Sequence, residues 1–158
     1  CCVDLLILTI NTTSNIITKM EELASTLPEY DTVRNMEVCG AKLTPRIIAE
    51  IGDIRRFKNA GSIIAYGGLD APPYQSGQFE ATIRHISKRG NKYLRKAGYE
   101  VMKSIKSSGK AGNELYDYIS KKEEEGKAKK VAKIAGLNKF IRMYYGKVRE
   151  KYRELEIW

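Results

Sequence analysis

Leu69-Asp70-Ala71-Pro72-Pro73-Tyr74-Gln75-Ser76-Gly77-Gln78, running on to Ile86-Ser87-Lys88-Arg89-Gly90-Asn91-Lys92-Tyr93-Leu94-Arg95, is the one long segment of this chain without helical periodicity. Its two prolines bias the residues before them towards extended backbone, and Gly77 adds a turn signal. A long irregular loop is therefore predicted, with helices on both sides. Ser76, beside a glycine in such a loop, presents a hydroxyl that no helical turn covers. About ten residues on, the chain turns basic and opens a helix; an exposed hydroxyl next to clustered cationic and backbone donors suits phosphate chemistry. The competing reading is ordinary turn chemistry, in which Ser-Gly serves only the bend. Spacing alone favours the plainer reading.

The helix after the loop carries more information. At about 100° per residue, Leu94, Ala97, Gly98, Val101 and Ile105 fall on one side, and Lys92, Arg95, Lys96, Lys103 and Lys106 on the other. Tyr99 lies within the basic sector and Tyr93 at its margin. Between Arg84 and Lys96 there are six Lys or Arg and no acid. Such a stripe reads as a track for a phosphate backbone, with aromatics placed to stack on unpaired bases. The alternative is the solvated face of an amphipathic helix, which usually mixes signs. His85, the single histidine, has no carboxylate near it in sequence and makes a poor triad base. It is read as phosphate-facing or structural.

Upstream, Val3, Leu6, Ile10, Thr13, Ile17, Met20, Ala24 and Leu27 repeat in steps of three and four, the seam of a coiled-coil-like helix that ends at Pro28. Asn11 to Asn15 lower helix propensity and predict a weak point there. The seam needs a partner, either another helix or chain, or its own domain. Met36-Glu37-Val38-Cys39-Gly40-Ala41-Lys42-Leu43-Thr44 then leads to Ile47, Ile48 and Ile51, predicting a helix, a glycine turn and a second helix. Arg55 and Arg56 read as a solvated corner. A short helix is expected over Asn59 to Tyr66, capped by Asn59, with Ile63, Ile64 and Tyr66 supporting the loop. Downstream, the Gly109–Gly112 break precedes helices over Glu114–Glu125 and Lys127–Tyr152, the last with a kink expected at Gly136-Leu137-Asn138. Lys127, Lys129, Lys130 and Lys133 extend the basic surface, although three glutamates just upstream can neutralise part of it. The fold class is mainly α: a coiled-coil-like helix over 1–30, then a helical domain over 31–158.

A chain of 158 residues is long enough for one domain with an extension and a true core. It opens on Cys1-Cys2-Val3, so a piece whose upstream part is missing is expected. No apolar run approaches a membrane span, and the start has no basic region followed by a cleavage site; neither anchor nor signal peptide is expected. Three cysteines without a CxxC spacing suggest neither a disulfide scaffold nor a zinc site, and a reducing cytoplasm fits. The net charge of +9 is uneven: residues 1–41 carry −4 and the remainder +13. The later part thus points to a polyanion, nucleic acid ahead of a membrane surface.

The runs AEIGDIRRF, IAYGGLDAPPYQSG and ISKRGNKYLRKAGYEVM, in this order and spacing, resemble the C-terminal domain of prokaryotic insertion-sequence transposases. The similarity extends from about Thr32 to Tyr152. Members join an N-terminal RNase-H-like DEDD domain to a C-terminal serine domain and act as bridge-RNA-guided DNA recombinases. The resemblance implies that Ser76 is the nucleophile and that the first helix is the returning part of an interdomain coiled coil. It further implies a nucleic-acid surface of Gln75, Gly77, Arg84, His85, Lys88, Arg89, Asn91, Lys92, Arg95 and Lys96. Helix-hairpin-helix members show a Pro-Gly-x-Gly turn where this chain has Glu37, Val38, Cys39 and Gly40; an acid and a β-branched residue there favour a packing module first and a DNA clamp second. Magnesium is expected on four acidic residues of the absent DEDD domain, with no metal and no cofactor on this chain. The implied partners are DNA, a guide (bridge) RNA and further copies through the first helix, with no membrane. By itself the chain is expected to bind nucleic acid and cut nothing. Two rival readings stay open, a non-catalytic helix-hairpin-helix-type DNA/RNA-binding module and an oligomerisation domain.

Overall fold

The computed structural model of the chain describes residues 1–72, 85–109 and 112–158, together with the backbone of 75–76 and 79–80. Seven α-helices are found among these residues: α1 (Cys2–Ser25), α2 (Tyr30–Arg34), α3 (Thr44–Ile51), α4 (Ala60–Tyr66), α5 (Lys92–Ser108), α6 (Glu114–Glu124) and α7 (Lys129–Glu154). A 3-10 turn spans Ile54–Arg56 between α3 and α4. Two short strands, β1 (Gln75–Ser76) and β2 (Phe79–Glu80), pair antiparallel with Gln75 opposite Glu80 and Ser76 opposite Phe79. The segment expected to be irregular therefore holds one short antiparallel strand pairing of two residues a side. No helix among the described residues is long and apolar enough to cross a membrane.

The core is assembled around α7, which packs against α2, α4, α5, α6 and the 3-10 turn. Its Leu137, Phe140, Ile141, Tyr144 and Val148 share one buried core with Leu94, Ala97, Val101, Met102 and Ile105 of α5, and α3 adds Ile47, Ile48 and Ile51 to that core by packing on α5. The side of α5 that its periodicity marked apolar is the side that is buried. Burying a side chain of this kind contributes about 1.5–3 kcal/mol before chain entropy is counted.

Two helix crossings depend on glycine. A Cβ on Gly98 would lie 2.5 Å from Cδ1 of Leu137, and one on Gly136 would lie 2.5 Å from Cγ1 of Ile119. At Gly136-Leu137-Asn138, where a kink is expected, α7 runs on as one helix through all three residues. Gly136 is there to let α6 approach, and the intrahelical hydrogen bonds continue past it.

No break occurs at Asn11–Asn15 despite their low helix propensity, because α1 is one 24-residue helix. Its threonines bond backward: the hydroxyls of Thr9, Thr13 and Thr18 donate to the carbonyls of Leu5, Thr9 and Ser14. The C-terminal part of α1 packs on α3 and α2 and buries Ala24. The N-terminal part leaves Val3, Leu5, Leu6, Ile7, Leu8 and Ile10 each more than half exposed.

Between α2 and α3 the chain turns inward. Val38 and Cys39 are buried, Arg34 donates to the Cys39 carbonyl at 3.0 Å, and Thr44 Oγ1 donates to the Gly40 carbonyl at 3.1 Å. The left-handed residue of the turn is Glu37, at φ 53°, and not the glycine. Burial pushes the Cys39 thiol up to about 12, while Cys1 and Cys2 are exposed.

Arg55 and Arg56 are exposed, as a solvated corner requires, and both are also bonded within the fold. Arg55 pairs with Asp53 at 2.8 Å and donates to the Ile157 carbonyl at 3.0 Å. Arg56 donates to the Ile51 carbonyl at 2.8 Å, and its guanidinium lies 4.6 Å from the ring centre of Phe57 and 4.7 Å from that of Tyr66. Arg56 thus pins the α3–α4 connection through cation–π contacts with two neighbouring rings whose centres lie 5.4 Å apart. At the far end of α7, the Tyr152 hydroxyl donates at 2.8 Å to Glu29, a carboxylate residue only 4% exposed.

Candidate nucleic-acid interface at the loop stem

Asn59 opens α4 by accepting from the Ser62 amide at 3.0 Å. The helix ends at Gly67-Gly68, where Gly68 takes φ 61° and directs the chain into the loop. The returning strand of chain closes against the outgoing one. Ser87 N donates to the Asp70 carbonyl at 2.8 Å and Ser87 Oγ to Asp70 Oδ1 at 2.6 Å. Lys88 N donates to the Gly68 carbonyl at 3.0 Å, and Asn91 N to the Tyr66 carbonyl at 2.7 Å. These bonds form a stem that joins residues 66–70 to residues 87–91.

Side chains are excluded from the crossing itself. A Cβ on Gly68 would lie 2.9 Å from the amide nitrogens of both Arg89 and Gly90, and one on Gly90 would strike the Tyr66 carbonyl. Lys88 sits at φ 55°, a left-handed conformation that costs a non-glycine residue about 1–2 kcal/mol. Its bond to Gly68 holds it there.

Asn91 ties the stem to the body. Its Oδ1 accepts from Tyr93 N at 2.8 Å and Leu94 N at 3.1 Å, which caps α5. Its Nδ2 donates to Glu50 Oε2 at 2.9 Å and to the Tyr66 hydroxyl at 3.1 Å. That hydroxyl is held below the usual phenol range, first by Arg56 and then by Asn91. The amide assigned to nucleic acid is thus occupied within the fold, and Asn91 acts here as a cap and strut. Arg95 is used in part the same way, its Nη1 donating to the Gly67 carbonyl at 2.8 Å. Periodicity gave no sign of Glu50.

His85, Lys88, Arg89, Lys92 and Lys96 are exposed around this stem. Lys103 continues the stripe along α5, and Glu100, the acid beside it, is paired with Arg46 at 2.7 Å. Lys106 does not belong to the open face. It pairs with Glu123 at 3.0 Å, donates to Ser120 at 2.9 Å and lies 4.5 Å from the Tyr116 ring centre, inside the α5–α6 contact. Gly77, Arg84 and the side chains of Gln75 and Ser76 lie outside the described residues. Among the described residues no three His, Cys, Asp or Glu gather as a metal ligand set, so no step is assigned to a metal on them. Chemically, the stem offers several cations at the neck of a loop that carries a serine.

Residues 30–117, from α2 into α6, match the family profile described as Transposase IS116/IS110/IS902 family. The chain belongs to this transposase family. It is also 29% identical over 111 residues to the pilin gene-inverting proteins of Moraxella bovis and Moraxella lacunata, an alignment covering 70% of this chain and 34% of each relative. The chain thus spans about a third of the length of the curated relatives it matches.

Proposed function

We propose that this chain is the serine-bearing, nucleic-acid-gripping part of a DNA recombinase, in which Ser76 attacks a DNA phosphodiester. The observation that carries the reading is the stem: backbone bonds and two glycines close a loop containing Ser76 and gather exposed Lys88, Arg89, Lys92 and Lys96 at its neck. In the reaction, Ser76 Oγ forms a bond to phosphorus as a phosphorus–oxygen bond to the neighbouring deoxyribose breaks. The departing sugar oxygen gains a proton as the serine hydroxyl loses one. Attack of a sugar hydroxyl on the phosphoserine ester reverses these steps and rejoins DNA. One ester replaces another, so bond energy is kept through the exchange. Cations at the neck neutralise charge on the reacting phosphate, the dominant need in phosphoryl transfer.

The magnesium-binding DEDD set and the guide RNA belong to this proposal as partners outside the chain. The relatives' names, pilin gene-inverting proteins, favour recombination of the inversion or transposition type. Ser76→Ala in the full-length recombinase should abolish strand exchange while leaving DNA affinity within about threefold, as expected when a hydroxyl is removed from a site held by phosphate contacts. Undiminished exchange would rule out the nucleophile.

Assembly through α1 rests on a separate observation, the apolar residues left exposed over Val3 to Ile10. A free helical end of this length is marginal in water without a partner. Sedimentation should show association that Leu6→Glu with Ile10→Glu removes, whereas a monomer at all concentrations would exclude this role.

A further inference from the structure

Two of the three glutamates that stand before Lys127, Lys129, Lys130 and Lys133 are paired with other lysines, and Lys127 lies near enough to Glu125 to help hold its carboxyl below the usual range. Glu123 is paired with Lys106 at 3.0 Å and Glu125 with Lys122 at 2.7 Å, which leaves Glu124 as the remaining acid. None of the four lysines joins an ion pair among the described residues; three are exposed and Lys133 partly so. They stand at the start of α7, where cations oppose the helix dipole, and α7 has no side-chain cap there. Their placement thus adds nothing evident to fold stability.

Their position relative to α5 gives them a use. Lys92, Lys96 and Lys103 share a sector of about 40° on α5, and Lys92 to Lys103 spans about 16 Å of axis. Lys106, on the flank of that sector, reaches across to Glu123 near the end of α6. The α6–α7 elbow therefore begins beside the far end of the stripe that starts at the loop stem. No aromatic residue occurs between Lys127 and Lys139, and the Tyr118 ring of α6 is already covered by Lys122 and Lys139 at 5.6 and 4.8 Å. What the four lysines themselves offer is charge for a phosphate backbone, which a duplex presents continuously.

Resting on the DNA-binding reading above, we propose that Lys127, Lys129, Lys130 and Lys133 form the distal end of a track for the phosphate backbone of duplex DNA, running from the loop stem along α5. The test is anisotropy binding of the chain to a duplex DNA of about 20 base pairs across a salt titration, where each lost phosphate contact lowers the slope of log affinity against log salt by about 0.9. Lys→Gln at all four positions should lower that slope by about 2–4, and Lys→Arg at the same positions should restore it. Removing charge elsewhere on α7, by Arg142→Gln, Lys147→Gln and Arg153→Gln, should leave the slope unchanged. An unchanged slope in the elbow variant, while Lys88→Gln with Arg89→Gln and Lys92→Gln lowers it, would overturn the distal track and leave the stem reading intact. An equal fall in the Arg142/Lys147/Arg153 variant, or a loss confined to a hairpin RNA probe, would also overturn it. Salt-insensitive wild-type binding would remove both readings.

Discussion

Asn91 shows how one side chain decides whether the candidate site exists. Its carbonyl caps α5 and its amide bridges Glu50 and Tyr66, so three elements meet on one residue. Asn91→Ala should cost about 1–3 kcal/mol, from the lost cap and the unpaired Glu50 and Tyr66 groups. Urea unfolding measures this; a change under about 0.5 kcal/mol would mean that the stem is not held this way. Asn before Lys92-Tyr93-Leu94 carries a cap signal that sequence alone contains. Its second role does not follow from sequence, because Glu50 is brought to it by tertiary packing and no local pattern marks that meeting.

Among the elements, α5 and α7 differ in how far sequence foretells them. The buried side of α5 follows from its 3.6-residue period, since burial requires apolar side chains on one face whatever the partner is. Lys106 falls outside that logic, because the neighbour that claims it, α6, arrives through a separate turn. Gly136 shows the same limit from the other direction. Local propensity marks it as a breaker, yet its place against Ile119 is set by the α6–α7 crossing. The two views differ in sign for Gly136→Ala. Propensity predicts stabilisation by about 1 kcal/mol, whereas crowding against Ile119 costs about 1–3 kcal/mol. Net destabilisation is expected. A higher melting temperature in the single variant would refute the packing role.

At the scale of the whole molecule, the Tyr152–Glu29 bond ties the end of α7 to the corner between α1 and α2. Burial, then the Glu29 bond, raises the Tyr152 hydroxyl well above the ordinary phenol value. A raised pKa means that the fold favours the neutral phenol. Its contribution is fully present below about pH 10, the unfolded phenol value, and is lost as pH rises through the higher folded value. Alkaline titration of stability should therefore fall more gently in Tyr152→Phe than in the wild type above pH 10, and parallel curves would exclude the linkage. The charge of the whole chain follows the same division of labour. Acidic residues 1–41 belong to α1, α2 and the turn after them, and the excess cations lie beyond. That division was legible in the sequence, while the separation of exposed lysines from paired ones needed the packed helices.

The central claim is that the loop closed by Gly68, Gly90 and Asn91 carries a serine that becomes covalently joined to DNA. Its most direct test is mass spectrometry of the full-length protein after incubation with a DNA substrate whose cleaved end diffuses away and cannot rejoin. The account predicts a nucleotide adduct on the peptide containing Ser76, absent from Ser76→Ala. Cleaved DNA with no adduct on Ser76, or an adduct on another residue, would contradict it.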